Sequence, residues 1–287
     1  MDKKEFLAKL ENVENLPTLP AVVRQLQTLM ANPHSSMAQV AAVITRDQAI
    51  AARVVRLINS AFYGMGGKVT SIQHAIVLLG LNTVKNLVTG VSVVKMFEGR
   101  QNAPLFDREK FWLHTFACAL GARAIANDLK AAEPEDFFLA GLLHDIGILV
   151  LDQFFHGEFN EIIRTAIDER IEYVDAERKV IGISHQEVGG FVARKWDMPE
   201  ILINAIHFHH NPTFAEGKGA DAALIMSAVH LADVTLNNRG LDMVHPVGKT
   251  NFDAAAIRTV GLSERRIDEL YDSIMKEVKA VAAEWGV

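Results

Sequence analysis

The run Phe137-Phe-Leu-Ala-Gly-Leu-Leu-His-Asp-Ile-Gly-Ile-Leu-Val-Leu151 constrains this chain more than any other segment. His144 and Asp145 are its only polar side chains. A helix apolar on every face belongs in a core, and a carboxylate inside a core is costly unless a cation or strong hydrogen bonds compensate it. The run falls short of the roughly 20 residues that cross a bilayer easily. Adjacent helical residues diverge by about 100°, yet both can reach a centre lying between neighbouring helices. A metal ion held by imidazole nitrogen and carboxylate oxygen would meet the requirement.

Further ligands of the same kind stand elsewhere in the chain. His114 lies on an apolar face with Phe111 and Cys118, and Asp233 shares one with Met226, Val229 and Leu236. His114, His144-Asp145 and Asp233, on three separate helices, make a single-metal set. Ser184-His-Gln-Glu187 reads as a capping box that places His185 in a first turn. His209 and His210 end a helix begun at Pro199. Together these are enough for two metals sharing bridging ligands, which at about 3.5–4 Å apart can activate water and stabilise a phosphoryl transition state. Each residue alone has a plainer use. A buried imidazole commonly bonds a backbone carbonyl, His185, His207 and His210 suit caps or surfaces, and His230, Asn237 or backbone can satisfy Asp233.

The remaining chain reads as helix throughout, without period-two alternation. The first half carries helices near Lys3–Asn12, after Pro20, from the Ser36/Gln39 capping box, at Asp47–Ser60, Ser71–Gly80 and Asn82–Phe97. The Leu16-Pro-Thr-Leu-Pro20 segment is stiff, and Gly64, Gly66 and Gly67 break the chain. Glu98–Asp107 is the expected boundary, dividing an N-terminal bundle (1–98) from a C-terminal one (107–287). Beyond it the expected helices are 107–130, 133–154, 158–170, 174–180, 184–196, 199–209, 221–236, 253–260 and 263–285, with 237–252 a loop. The formal net charge of −6 argues against a dedicated DNA binder. The mixed-charge N-terminus is unlike a signal peptide, and the single Cys118, beside Phe116 and Ala117, suits a buried position in a reducing compartment. The expected location is cytoplasmic, with no membrane association.

The order His114, His144-Asp145, His185, His209-His210, Asp233 resembles the HD superfamily of metal-dependent phosphohydrolases, the HD-GYP phosphodiesterases especially. Leu16-Pro-Thr-Leu-Pro20, the stretch from Asp47 to Asn59-Ser-Ala-Phe-Tyr-Gly64, and Ser71-Ile-Gln-His-Ala-Ile-Val-Leu-Leu-Gly80 are similar to the HDOD family (HD-related output domain). The resemblance implies an all-α fold, an N-terminal helical bundle packed on an HD-like bundle. It implies a metal set of His114, His144, Asp145, Asp233, His185, His209 and His210, holding one or two divalent or transition ions, with iron, manganese, zinc and nickel equally acceptable. It also implies bacterial signal transduction, with signalling proteins as partners. Many members have lost ligands that this chain keeps. Departures from HD-GYP enzymes are the absence of a lysine after Gly147 and of a Gly-Tyr-Pro loop after His210; Lys110 stands where trimetal members carry an acid. These departures weigh against cyclic-di-GMP hydrolysis and leave metal binding intact. Asn59 is either part of the family signature between the bundles or a helix cap.

Three functions follow from this reading. The first expectation is a signalling module acting through protein contacts, with its His/Asp metal site retained. The alternative is a phosphohydrolase acting on a nucleotide or phosphodiester, and the third is nucleotide binding without turnover.

Overall fold

Capping chemistry starts most of the helices of the N-terminal half. In the computed structural model, which describes residues 1–13, 16, 18–60, 63, 67–98, 105–215, 217–241, 251–276 and 278–285, α1 (Lys3–Glu11) is capped by Asp2, whose carboxylate accepts from Glu5 N–H. Pro20 precedes α2 (Ala21–Ala31), and the expected Ser36/Gln39 capping box opens α3 (Met37–Thr45). Asp47 caps α4 (Gln48–Asn59), Ser71 caps α5 (Ile72–Leu79), and Gly80 at φ 84° turns the chain into α6 (Leu81–Met96). Pro17, Gly64, Gly66 and residues 99–104 of the expected boundary lie outside the described residues.

The C-terminal half consists of α7 (Arg108–Asp128), α8 (Pro134–Leu143), α9 (Ile146–Phe154), α10 (His156–Glu169), α11 (Tyr173–Ile181), α12 (His185–Lys195), α13 (Glu200–Phe208), a 3-10 turn (Pro212–Ala215), α14 (Ala220–Asn238), α15 (Ala254–Val260), α16 (Glu264–Ile274) and α17 (Val278–Trp285). Among the described residues there is no strand, so the architecture is all-α. Two expected helices are each two. The 133–154 helix breaks at His144-Asp145, where Asp145 leaves helical geometry (φ −101°, ψ 18°). The 263–285 helix stops at Met275 and restarts at Val278. Asn237 and Asn238 continue α14 rather than starting a loop, and most of that expected loop, 242–250, lies outside the described residues.

The chain ends lace the halves together. Phe6 of α1 packs on Phe155 with ring centroids 4.7 Å apart, and the Met1 amine donates to Val180 O. At the other end Trp285 stacks against Phe116 and Phe138 and approaches Gly90 of α6. One core cluster therefore runs from Phe6 to Trp285. Asn59 does more than end α4. Its amide pairs both backbone groups of Val69, at 2.7 and 3.0 Å, and so closes the 60–69 loop. From that loop Tyr63 donates to Glu135 of α8 at 2.8 Å, and Arg123 of α7 meets the same carboxylate at 2.6 Å.

Two glycines bring the central helices into contact. A Cβ on Gly141 would meet Ala119 Cα of α7 at 2.7 Å, and one on Gly147 would overlap the His185 carbonyl oxygen at the start of α12. Pro134–Phe154 is long and apolar enough to cross a membrane by length and composition, but 89% of its most apolar 18-residue stretch, of mean hydropathy 1.5, is buried inside the protein. Its burial is that of a core element, and Cys118 beside it is free and buried.

Candidate metal centre

The break between α8 and α9 solves the divergence problem that an unbroken helix would pose. As a turn, His144 and Asp145 both face one point. α7 brings His114 there, the first turn of α12 brings His185, the end of α13 brings His209 and His210, and α14 brings Asp233. All seven residues expected from the sequence converge. Six have side chains no more than 4% exposed, and His210 is 28% exposed.

Each carboxylate faces two groups of imidazoles. Asp145 Oδ2 lies 3.1 Å from His144 Nε2 and 3.8 Å from His114 Nε2. Its Oδ1 lies 3.2 Å from His185 Nε2 and 3.4 Å from His209 Nε2. Asp233 Oδ1 is 3.2 Å from His114 Nε2 and accepts from Asn237 at 2.9 Å, while its Oδ2 is 3.4 Å from His210 Nδ1. Two half-sites result. His114, His144, Asp145 and Asp233 surround one position; Asp145, His185, His209 and His210 surround the other, with Asp145 common to both.

Second partners set the tautomers. The Nδ1–H groups of His114, His144 and His209 donate to the carbonyls of Leu241 (2.7 Å), Gly141 (2.7 Å) and Ile206 (2.9 Å). His185 Nδ1–H donates to Glu177 Oε2 at 2.8 Å. A carbonyl or carboxylate only accepts, so the neutral rings turn Nε2 lone pairs inward. His185 Nε2 and His209 Nε2 then face each other at 3.3 Å beside a carboxylate oxygen. His114 Nε2, His144 Nε2, Asp145 Oδ1 and Asp233 Oδ2 are buried without a hydrogen-bond partner. Lone pairs converging this closely call for a cation between them.

The choice of counter-ions elsewhere in the fold sharpens the point. Buried Asp152 pairs with Arg108 and buried Glu135 with Arg123. Among the described residues, Asp145, Asp233 and Glu177 have imidazoles as their only ion-pair partners. Asp145 and Asp233, with neither an arginine nor a lysine beside them and with imidazoles whose candidate donor atoms lie within 4.8 Å of one another in three groups, fit a bound metal ion. Metal–ligand bonds of about 2.0–2.2 Å suit such spacings.

Without an ion, protons substitute for it. Burial opposes charging of His144, but the Asp145 carboxylate outweighs it and holds the ring's pKa well above the usual value. Burial likewise opposes charging of His185, whose pKa the Glu177 and Asp145 carboxylates push up to about 10. The Asp145 carboxyl stays well below the usual range despite its burial, because His144 lies beside it; His114 and His210 do the same for Asp233. Burial depresses the pKa of His209 and, further, that of His210.

Sequence reasoning missed two contributors. Glu177 carried a signal of the same kind as Asp233, since Tyr173, Glu177 and Ile181 recur every fourth residue on one face of α11. His230 bonds His209 O through Nδ1 (2.8 Å) and accepts from Asp253 N–H (3.1 Å), which steadies the α13 terminus. His207 packs on Gly190, and Lys110 is exposed; neither enters the centre.

Comparison with known proteins identifies the family and the fold. The HDOD domain model matches residues 16–212. The crystal structure of an HDOD domain protein of unknown function from Geobacter sulfurreducens is 28% identical, with a TM-score of 0.81, covering 99% of this chain and 96% of that one. A protein from Shewanella amazonensis SB2B, provisionally named a phosphohydrolase, is 25% identical with a TM-score of 0.69, covering 98% of this chain and 96% of its own. An uncharacterized protein of Treponema pallidum is 25% identical over 230 residues, which are 79% of this chain and 43% of that relative, so the chain spans less than half its length.

Proposed function

Because the chain belongs to the HDOD family, we propose that it is a signal-transduction module built around a resident His/Asp metal centre, one that works through contacts with other signalling proteins. The observation that carries the metal half of this reading is the set of four buried, partnerless donor atoms on His114, His144, Asp145 and Asp233. The near-complete burial of six ligands supports a retained ion that holds α7, α8, α9, α12, α13 and α14 in one arrangement. On this reading one ion would sit among His114, His144, Asp145 and Asp233, and a second among Asp145, His185, His209 and His210. A cytoplasmic setting belongs to the same proposal, in keeping with a single, buried cysteine outside any disulfide.

Hydrolysis of a nucleotide or phosphodiester is the second reading. The shared Asp145 and the exposed edge of His210 favour it, and the Shewanella relative's name points the same way. Bound ions would supply Lewis acidity toward a phosphoryl group. The protein's part would be to hold the Nε2 lone pairs inward through the carbonyls of Leu241, Gly141 and Ile206, and to exclude water from all ligands but His210.

Elemental analysis of protein purified without chelators or a metal-affinity column tests the proposal. One to two equivalents of transition metal are expected, with loss on His144→Ala. A folded protein that holds no metal and takes up neither iron, manganese nor zinc would overturn it. If metal is present, release of product from a panel of phosphodiesters, abolished by Asp145→Asn, selects the second reading; no release with the loaded protein removes it.

A further inference from the structure

The four inward-facing imidazoles are not backed alike. His114, His144 and His209 lean on neutral peptide carbonyls. His185 alone leans on a carboxylate, Glu177, whose Oε2 accepts both the ring Nδ1–H at 2.8 Å and the His185 backbone N–H at 3.0 Å. Glu177 is 0% exposed, its Oε1 has no hydrogen-bond partner, and among the described residues its only ion-pair partner is His185. The protein therefore keeps a buried carboxylate whose one ionic partner among the described residues is His185, aimed along that imidazole toward the shared Asp145.

An isolated buried carboxylate is unstable unless a positive charge is near. That charge can be a proton on the His185 ring or an ion at its far side, at Nε2. We infer that Glu177 is a positioning residue that fixes the tautomer of His185, raises its donor strength and makes the two half-sites unequal, so that the half-site of His185, His209, His210 and Asp145 depends on Glu177 for its ion while the half-site of His114, His144 and Asp233 does not. This inference rests on the metal-centre reading above. Three imidazoles give the Glu177-dependent half-site a preference for transition ions over magnesium or calcium, which favour oxygen donors. The other half-site, with two carboxylates and two imidazoles, is the less selective.

Glu177→Gln is the decisive variant, since the amide oxygen still accepts both His185 hydrogen bonds and only the charge is lost. Titration of chelator-stripped protein with manganese and zinc, followed by calorimetry, is expected to show two equivalents for the unaltered protein. In the variant one equivalent keeps its affinity and the other weakens by about 10–100-fold, the usual effect of altering a carboxylate behind a ligating histidine. The stripped variant should melt lower near neutral pH in either case, because the Glu177–His185 pair has gone, so the affinities decide. A merely structural Glu177 leaves both affinities unaltered and overturns the inference. Equal weakening of both equivalents also overturns it. Failure of the unaltered protein to bind either metal overturns the metal-centre reading itself and takes this inference with it.

Discussion

At His185 and His144 a proton and a metal ion compete for the same nitrogen. In the stripped protein His185 titrates at about 10, against about 6.5 in an unfolded chain. A group whose folded pKa is raised stabilises the fold fully below the unfolded value and loses that contribution as pH climbs through the folded one. Stability of the stripped protein should therefore decline between about pH 6.5 and 10, with the raised His144 adding to the loss. Asp145 and Asp233 have depressed values, so their contribution is present above about pH 3.9 and disappears as pH falls through their folded values. The loaded protein behaves oppositely on the alkaline side, because ligating imidazoles must be deprotonated and metal affinity rises with pH. Melting curves from pH 6 to 10, with and without metal, check this; a stripped protein whose melting point stays level or rises over that range contradicts the His185 assignment.

At the scale of elements, the centre depends on how closely α9 approaches α12. Gly147 makes that approach possible, since a Cβ there would overlap the His185 carbonyl. Gly147→Ala should push the first turn of α12 away from Asp145, costing about 1–3 kcal/mol or more through overpacking. Metal content should fall even where the variant folds, which metal analysis beside a denaturant melt would show; full metal content at unchanged stability would refute the close-approach account. Much at this scale was legible beforehand. The Ser36/Gln39 and Ser184/Glu187 boxes named their helix starts because side-chain caps are local. The break at His144-Asp145 was not legible, because an apolar run reads as one helix whatever its course, and only tertiary contacts on both sides impose the turn. Glu177 escaped notice because an acid on a helix of mixed composition passes for a solvated one, even on a face shared with Tyr173 and Ile181. His114 and Asp233 were found because each shares its face with several apolar residues, Phe111 and Cys118 for the one and Met226, Val229 and Leu236 for the other.

Across the whole molecule, the expected halves share one core, and the last residues of the chain help to join them. Trp285 touches Phe116, Phe138 and Gly90, groups from both sides of the expected boundary. Trp285→Ala should cost about 3–5 kcal/mol, the usual range for an aromatic removed from a core. If the halves are one cooperative unit, calorimetry of the variant will show a single transition at lower temperature; two separated transitions would mean that they unfold independently. A change of texture along the chain suggested the boundary, but it held no sign of this lacing. Contacts between residues 90 and 285 leave no local pattern. The His144-Asp145 pair has one more effect at this scale, felt before the fold exists. While the chain is being made, Pro134–Phe154 is a segment of membrane-spanning length and hydropathy. An aspartate at the middle of such a segment adds about 2.5–3.5 kcal/mol to its transfer into lipid. The carboxylate suited to an ion in the finished protein thus also makes this apolar stretch a poorer match for lipid while the chain is still unfolded.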